Sequence, residues 1–266
     1  MKKIISFFIP SLCYFLVIFT NSFSYAQNSK NNSYLVPVGG GTTHNYLMKT
    51  FVGLSQKPNP TVLIIPYASE EKNTIITSEK SIAMFKRLGI NNISSLDTAD
   101  QKKSLELIKK CDLIWMPGGS QLKLRKALEQ ANLTEAILKR YADGNFVIGG
   151  TSAGASVMSD IMMAGNEKDK TTGEYNPVIS YGLKLWPEAI IDQHFSERKR
   201  LPRLRKAVEK NKNLLGIGID ESTGIIYDGA EKITVLGKGT VTFIRYNKAK
   251  DNMEETILKA GEIYHL

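Results

Sequence analysis

Phe146-Val147-Ile148-Gly149-Gly150-Thr151-Ser152-Ala153-Gly154-Ala155 is the stretch from which the rest of the chain is read. Its short apolar run predicts a buried strand. The run meets Gly-x-Ser-x-Gly at Gly150, Ser152 and Gly154, and Ala155-Ser156-Val157-Met158 continues with helical character. Strand, sharp turn and helix with a serine at the apex is the sequence form of a nucleophile elbow. The glycines have a steric reason, because such a turn leaves no room for a β-carbon beside the serine and favours positive φ. The hydroxyl of Ser152 is then held above the sheet edge. The N–H of Ala153 lies at a helix start, where a developing oxyanion is stabilised. The same five residues also fit a loop without chemistry, so the surrounding sequence has to decide.

Working outward, apolar strands alternate with helices. Tyr34–Val38 ends in Gly39-Gly40-Gly41, Thr61–Pro66 is fully apolar, and a helical stretch from Glu70 to Leu88 follows. Asn92–Leu96 is a weaker strand, Leu105–Lys110 closes a helix, Asp112–Met116 is another buried strand ending at Pro117-Gly118-Gly119, and Leu122–Tyr141 is helical in two pieces. This alternation predicts an α/β fold with a mostly parallel sheet covered by helices on both faces. Sites in such sheets form beyond the carboxyl ends of the strands, so the three glycine-rich turns should cluster on one edge. After Leu215–Ile219 the pattern changes to short strands at 224–227, 232–236 and 240–245 with glycine turns, which read as C-terminal antiparallel hairpins.

Residues 1–26 read as a secretory signal peptide. Lys2-Lys3 precedes an almost uncharged apolar stretch from Ile4 to Thr20, broken by Pro10, and Ser24-Tyr25-Ala26 places small residues at a cleavage position. Residues 27–33 read as a flexible N-terminal segment and 34–266 as a single catalytic domain, exported to the periplasm or the medium with no membrane anchor left after cleavage. Lys2 and Lys3 leave with the leader and no acid does, so the formal charge falls from +9 to +7. Cys111 then remains the sole cysteine, which excludes an internal disulfide framework. The basic residues are dispersed apart from a cluster near residue 200, and no nucleic-acid motif accompanies them.

A serine nucleophile needs an imidazole within hydrogen-bond reach. Of His44, His194 and the near-terminal His265, His194 follows the apolar run Ala189-Ile190-Ile191-Asp192-Gln193 and is expected on the same edge as Ser152; His44 follows the triple glycine and also fits there. The base needs a carboxylate in turn. Asp192, two residues before the histidine, and Glu221, at the end of the next strand, are the candidates, with Glu221 better able to approach the ring from a neighbouring strand. Arg198, Arg200 and Arg203 follow His194 closely, and guanidinium groups bind carboxylates in bidentate forks, so an acidic substrate is expected. Gly119 is a candidate second oxyanion donor and Gln121 offers an amide beside it. No His, Cys or carboxylate spacing suggests a metal, and no cofactor is expected.

Taken together, Gly150-Thr151-Ser152-Ala153-Gly154-Ala155, Met158-Ser159-Asp160, Ile191-Asp192-Gln193-His194-Phe195 with Arg198, Arg200 and Arg203, and Gly218-Ile219-Asp220-Glu221-Ser222-Thr223 resemble the cyanophycinases of peptidase family S51, serine exopeptidases related to the aspartyl dipeptidases. The resemblance spans nearly the whole chain from Gly39 onward. It implies a flavodoxin-like sheet shared with class I glutamine amidotransferases, a triad of Ser152, His194 and Glu221, and a homodimer. It further implies a pocket of Gln121, Asp192, Gln193, Arg198, Arg200 and Arg203 for the β-linked aspartyl-arginine unit of cyanophycin, released as β-Asp-Arg dipeptides. On this reading Asp192 pairs with a substrate guanidinium and the arginines with backbone carboxylates.

Lys199 and Pro202 stand where the family often has glycine, and Ser222 replaces an acidic or amide residue. These departures leave the triad intact and bear on the substrate. The readings that compete are a secreted aspartyl or isoaspartyl dipeptidase with the same triad and a non-catalytic binding protein on the same fold. A glutamine amidotransferase places a cysteine at the elbow, whereas this chain has Ser152 there, and Cys111, opening a buried strand, reads as a core residue.

Overall fold

The computed structural model describes residues 33–168, 170–171 and 175–266. The leader reading of residues 1–26 and all but the last residue of the 27–33 segment lie outside the described residues. Ser33 itself is tied down, its hydroxyl donating to the Tyr141 carbonyl at 2.6 Å. The described chain forms a single compact unit.

In chain order the elements are β1 (Tyr34–Val38), α1 (Asn45–Gly53), β2 (Val62–Ile64), α2 (Thr74–Lys86), β3 (Ile93–Ser95), α3 (Gln101–Lys110), β4 (Leu113–Met116), α4 (Gln121–Gln130), α5 (Thr134–Ala142) and β5 (Val147–Thr151). Then follow α6 (Ala153–Ser156), β6 (Ile161–Lys168), β7 (Tyr175–Tyr181), β8 (Ala189–Gln193), α7 (Leu201–Lys210), β9 (Leu215–Ile219), β10 (Thr223–Tyr227), β11 (Lys232–Gly237), β12 (Thr240–Asn247), β13 (Asn252–Lys259) and β14 (Ile263–His265).

The main sheet has the order β14-β11-β10-β1-β5-β4-β2-β3. The run from β1 to β3 is parallel, and β10, β11 and β14 add antiparallel strands at one side. The period-two geometry of a strand explains why its central strands are apolar throughout. Val36, Val38, Val62, Ile64, Leu113, Trp115 and Val147 join the core formed with Leu47, Met48 and Phe51 of α1 and Phe85 of α2. Their alternates Leu35, Leu63, Ile114, Met116 and Ile148 join the core formed with α3, α4, α5 and α6. Helices therefore cover both faces, as the alternating pattern predicts.

The second sheet departs from the sequence reading. β8 and β9 run parallel to each other, and β12 and β13 continue from β9 in antiparallel fashion, in the order β13-β12-β9-β8. Ile191, Ile217, Ile219, Val241 and Phe243 of this sheet join the core on the α3–α6 side of the main sheet. Its opposite face is covered by Leu204, Ala207 and Val208 of α7 and Met163 of β6, packed around Ile190, Phe195 and Ile244. The strand ends carrying His194 and Glu221 thus belong to a different sheet from Ser152. The common rim is assembled where two sheets meet, not along one.

Candidate active site

Ser152 sits between β5 and α6 with φ 53° and ψ −109°. That backbone is rare for a residue with a β-carbon and costs about 1–3 kcal/mol unless the surroundings fix it. They do: its N–H donates to the Val38 carbonyl at 2.9 Å, and its carbonyl accepts from the N–H groups of Ala155 and Ser156 at 3.0 and 3.1 Å. The elbow glycines are required by close approach, since a β-carbon on Gly154 would lie 2.0 Å from the Met116 carbonyl oxygen.

His194 follows β8 directly and has left the extended conformation, with φ 48°. Its N–H donates to the Gly39 carbonyl at 2.7 Å. Its ring is almost buried and lies between two partners: Nε2 is 2.9 Å from Ser152 Oγ, and Nδ1 is 2.5 Å from Glu221 Oε1. A carboxylate accepting the Nδ1 proton fixes the tautomer that leaves Nε2 free to accept the serine proton.

The acid is itself anchored. The Glu221 N–H donates to both carboxylate oxygens of Glu197 at 3.1 and 3.2 Å. Asp220 accepts from the Ser196 N–H at 3.0 Å and from the backbone N–H and hydroxyl of Thr240 at 2.9 and 2.7 Å. The segments 194–197 and 220–221 are therefore cross-linked three times. Gly40 lies under the imidazole, and the N–H of Ser222 donates to its carbonyl at 2.9 Å. In the sequence Glu197 carries no signal of this role, and Asp220 and Gly40 carry only their places at a strand end and in a glycine-rich turn. Their contacts are largely to backbone between distant segments and leave no local pattern.

Of the proposed oxyanion donors, Ala153 follows the serine in the chain and Gly119 follows Gly118, which approaches the serine closely. Ala153 opens α6, and Gly118-Gly119 closes the approach from β4: a β-carbon on Gly118 would stand 3.3 Å from Ser152 Cβ and 3.8 Å from its Oγ. Among the described residues, neither the Ala153 nor the Gly119 N–H is taken by an acceptor of the chain.

Asp192 differs from its expectation. It is wholly buried, and its oxygens are occupied by the chain's own groups. Arg203 Nε donates to Oδ2 at 2.7 Å while Arg203 Nη2 donates to Oδ1, giving a bidentate fork. Arg200 Nη1 reaches Oδ1 at 3.3 Å, and the Gln193 N–H donates to Oδ1 at 2.8 Å. Asp192 thus orients the arginines and is not open to a substrate guanidinium. A buried ion pair of this kind is strongly destabilised when one partner is removed. Asp192→Asn is expected to lower the unfolding free energy by about 3–5 kcal/mol, read from urea unfolding; an unchanged midpoint would contradict the assignment.

Arg198, Arg200 and Arg203 line one cavity of about 440 Å³ together with Lys199 and Asn166. Burial pushes the Arg200 guanidinium down to about 10, with Asp192 opposing the shift and Arg203 and Arg198 adding to it. It stays charged near neutral pH. Gln121 is spent elsewhere, its amide donating to the Met163 carbonyl at 2.7 Å and so holding β6 against the start of α4. Gln193 is buried with its Oε1 unpartnered among the described residues, a place where a donor is wanted. His44 is the residue before α1 and makes no side-chain cap bond, and His265 is exposed on β14. Neither has a side-chain hydrogen bond to the Ser152–His194–Glu221 chain. Cys111 is a core residue whose thiol is pushed up to about 12 by burial, which makes it a poor nucleophile.

An α/β frame that presents a serine hydroxyl to an imidazole, and the imidazole to a carboxylate, defines the class of serine-type hydrolases. The chain belongs to peptidase family S51, which matches over residues 35–235, and it is a serine-type peptidase. It is similar to a cyanophycinase of Geminocystis herdmanii, 38% identical over 188 residues, covering 69% of this chain and 68% of that one. A more distant relative is a peptidase E of a Nostoc species, 24% identical over 228 residues, covering 80% of this chain and 89% of that one. Among solved structures, a peptidase from an acI-B1 Actinobacterium superposes with a TM-score of 0.68 at 22% identity, covering 88% of this chain and 97% of that one, and shares the fold.

Proposed function

We propose that the chain is an exported serine exopeptidase that hydrolyses cyanophycin to β-Asp-Arg dipeptides through an acyl-enzyme, with Ser152, His194 and Glu221 as its triad. The observation that carries the proposal is the continuous Ser152–His194–Glu221 hydrogen-bond chain, at 2.9 and 2.5 Å, with guanidinium groups lining a cavity at the turn that follows His194. The name of the relatives at 30–38% identity supplies the substrate.

His194 Nε2 takes the Ser152 proton as Oγ bonds to the backbone carbonyl carbon of the polymer. The carbonyl electrons move onto oxygen, where the Ala153 and Gly119 N–H groups hold the charge. When the C–N bond breaks, His194 returns the proton to the leaving amine. Water, deprotonated by His194, then adds to the acyl carbon and expels Ser152 Oγ, which takes that proton back from His194 Nε2. Glu221 keeps its charge throughout and stabilises the imidazolium. The arginines receive substrate carboxylates. Export rests on residues 1–26, and the homodimer on the family resemblance.

A second reading, a secreted aspartyl or isoaspartyl dipeptidase, is favoured by the peptidase E relative and by the occupied state of Asp192. Mass spectrometry of products separates the two. Incubation with cyanophycin is expected to yield β-Asp-Arg; release of products from Asp-x or β-Asp-x dipeptides alone, with the polymer intact, would establish the second reading.

A further inference from the structure

The cavity lined by the turn that follows His194 carries more positive charge than its arginines account for. Five of its seven lining residues are cationic, namely Arg198, Lys199, Arg200, Arg203 and Lys206, and among the described residues no carboxylate lines it. Arg203 and Arg200 share the single carboxylate of Asp192. Among the described residues, Arg198 and Lys199 have no carboxylate partner. Among the described residues the charges of Arg198 and Lys199 are therefore not neutralised, and an anion with more than one charged group matches them better than a single carboxylate.

Lys199 adds a second observation. Its φ is 51°, in the region that crowds a β-carbon and for which glycine is the default. The tight turn imposes this: the Arg198 N–H donates to the His194 carbonyl at 3.1 Å, the Lys199 N–H to the Ser196 carbonyl at 3.1 Å, and the Arg200 N–H to the Phe195 carbonyl at 2.9 Å. A long cationic side chain is thus carried at a position whose backbone disfavours it, and it lines the cavity.

We infer that Lys199 is a specificity-determining residue, its ammonium group recognising a second carboxylate on the unit whose first carboxylate the neighbouring arginines hold. The inference rests on the peptidase reading above and names the class of unit: a terminal unit with two free carboxylates. A C-terminal β-aspartyl-arginine unit qualifies, because its aspartyl α-carboxylate is free and the α-carboxylate of arginine remains free when its amine is acylated.

The test is calorimetric binding, which needs no turnover. Titrate Ser152→Ala protein with β-Asp-Arg, which has free aspartyl and arginyl carboxylates, and with its argininamide, in which the arginyl carboxylate is blocked. The free dipeptide is expected to bind about tenfold more tightly. Adding Lys199→Gly should abolish this difference by weakening only the free dipeptide, and Lys199→Arg should keep it. A preference that survives Lys199→Gly, a preference absent from the parent, or binding of neither peptide overturns the inference. Failure of the polymer reading shows separately, as intact cyanophycin in the product assay while the Lys199-dependent preference persists.

Discussion

Ser152→Ala is expected to lower kcat by about 10⁴- to 10⁶-fold with little change in stability. The size follows from what is removed. Among the described residues no other hydroxyl is hydrogen-bonded to His194 Nε2, and the imidazole–carboxylate pair then has nothing to deprotonate but water. The residual rate would come from the oxyanion donors and from binding alone. The fold should persist, because the serine's structural contacts are made by its backbone N–H and carbonyl, which alanine retains. Alanine is strained at φ 53° as serine is, so the difference in strain is small. Single-turnover rates and urea unfolding of the same preparation check both halves. A variant retaining a tenth or more of the activity would remove Ser152 from the mechanism.

Gly40→Ala carries the second large effect, at a residue with no chemistry of its own. Its φ is +104°, and an added β-carbon would stand 2.3 Å from Cε1, 2.5 Å from Nε2 and 2.8 Å from Nδ1 of His194. No rotation of a flexible end relieves this, because the ring is pinned on both sides by Ser152 and Glu221 and its backbone N–H is held by Gly39. The imidazole must shift by an ångström or so, and misplacement on that scale costs about 10²-fold or more in rate. Both kcat and kcat/KM should fall, with KM less affected, since Gly40 does not line the arginine cavity. Wild-type kcat in a folded Gly40→Ala variant would mean that the imidazole is not confined as described.

Much of this arrangement is legible in the amino-acid sequence, and the exceptions share a cause. The parallel strands β1, β2, β4 and β5 are recognisable because both of their faces are buried, which makes the runs continuously apolar, and the elbow glycines mark where Ser152 must lie. The strand β13 leaves no apolar pattern because it is largely exposed and polar, and the hairpin of β6 and β7 leaves a weak one because most of its described residues are only half-buried. Pairing is not a local property, so nothing in 189–193 or 215–219 says that these strands pair with each other and not with the main sheet. Asp192 illustrates a finer limit. Strand alternation places residues 192 and 194 on one face, but His194 turns to φ 48° and leaves the strand, so the rule stops applying one residue too early. The imidazole is thereby freed to meet Glu221, and Asp192 stays inside to hold Arg200 and Arg203.

The central claim is that Ser152, activated by His194 and Glu221, is the nucleophile. A fluorophosphonate probe followed by intact-mass and peptide analysis tests it most directly. Wild-type protein should gain one probe on the peptide containing Ser152, Ser152→Ala none, and His194→Ala should label far more slowly than wild type. Equal labelling of wild type and Ser152→Ala, or modification mapped to another residue, would contradict it.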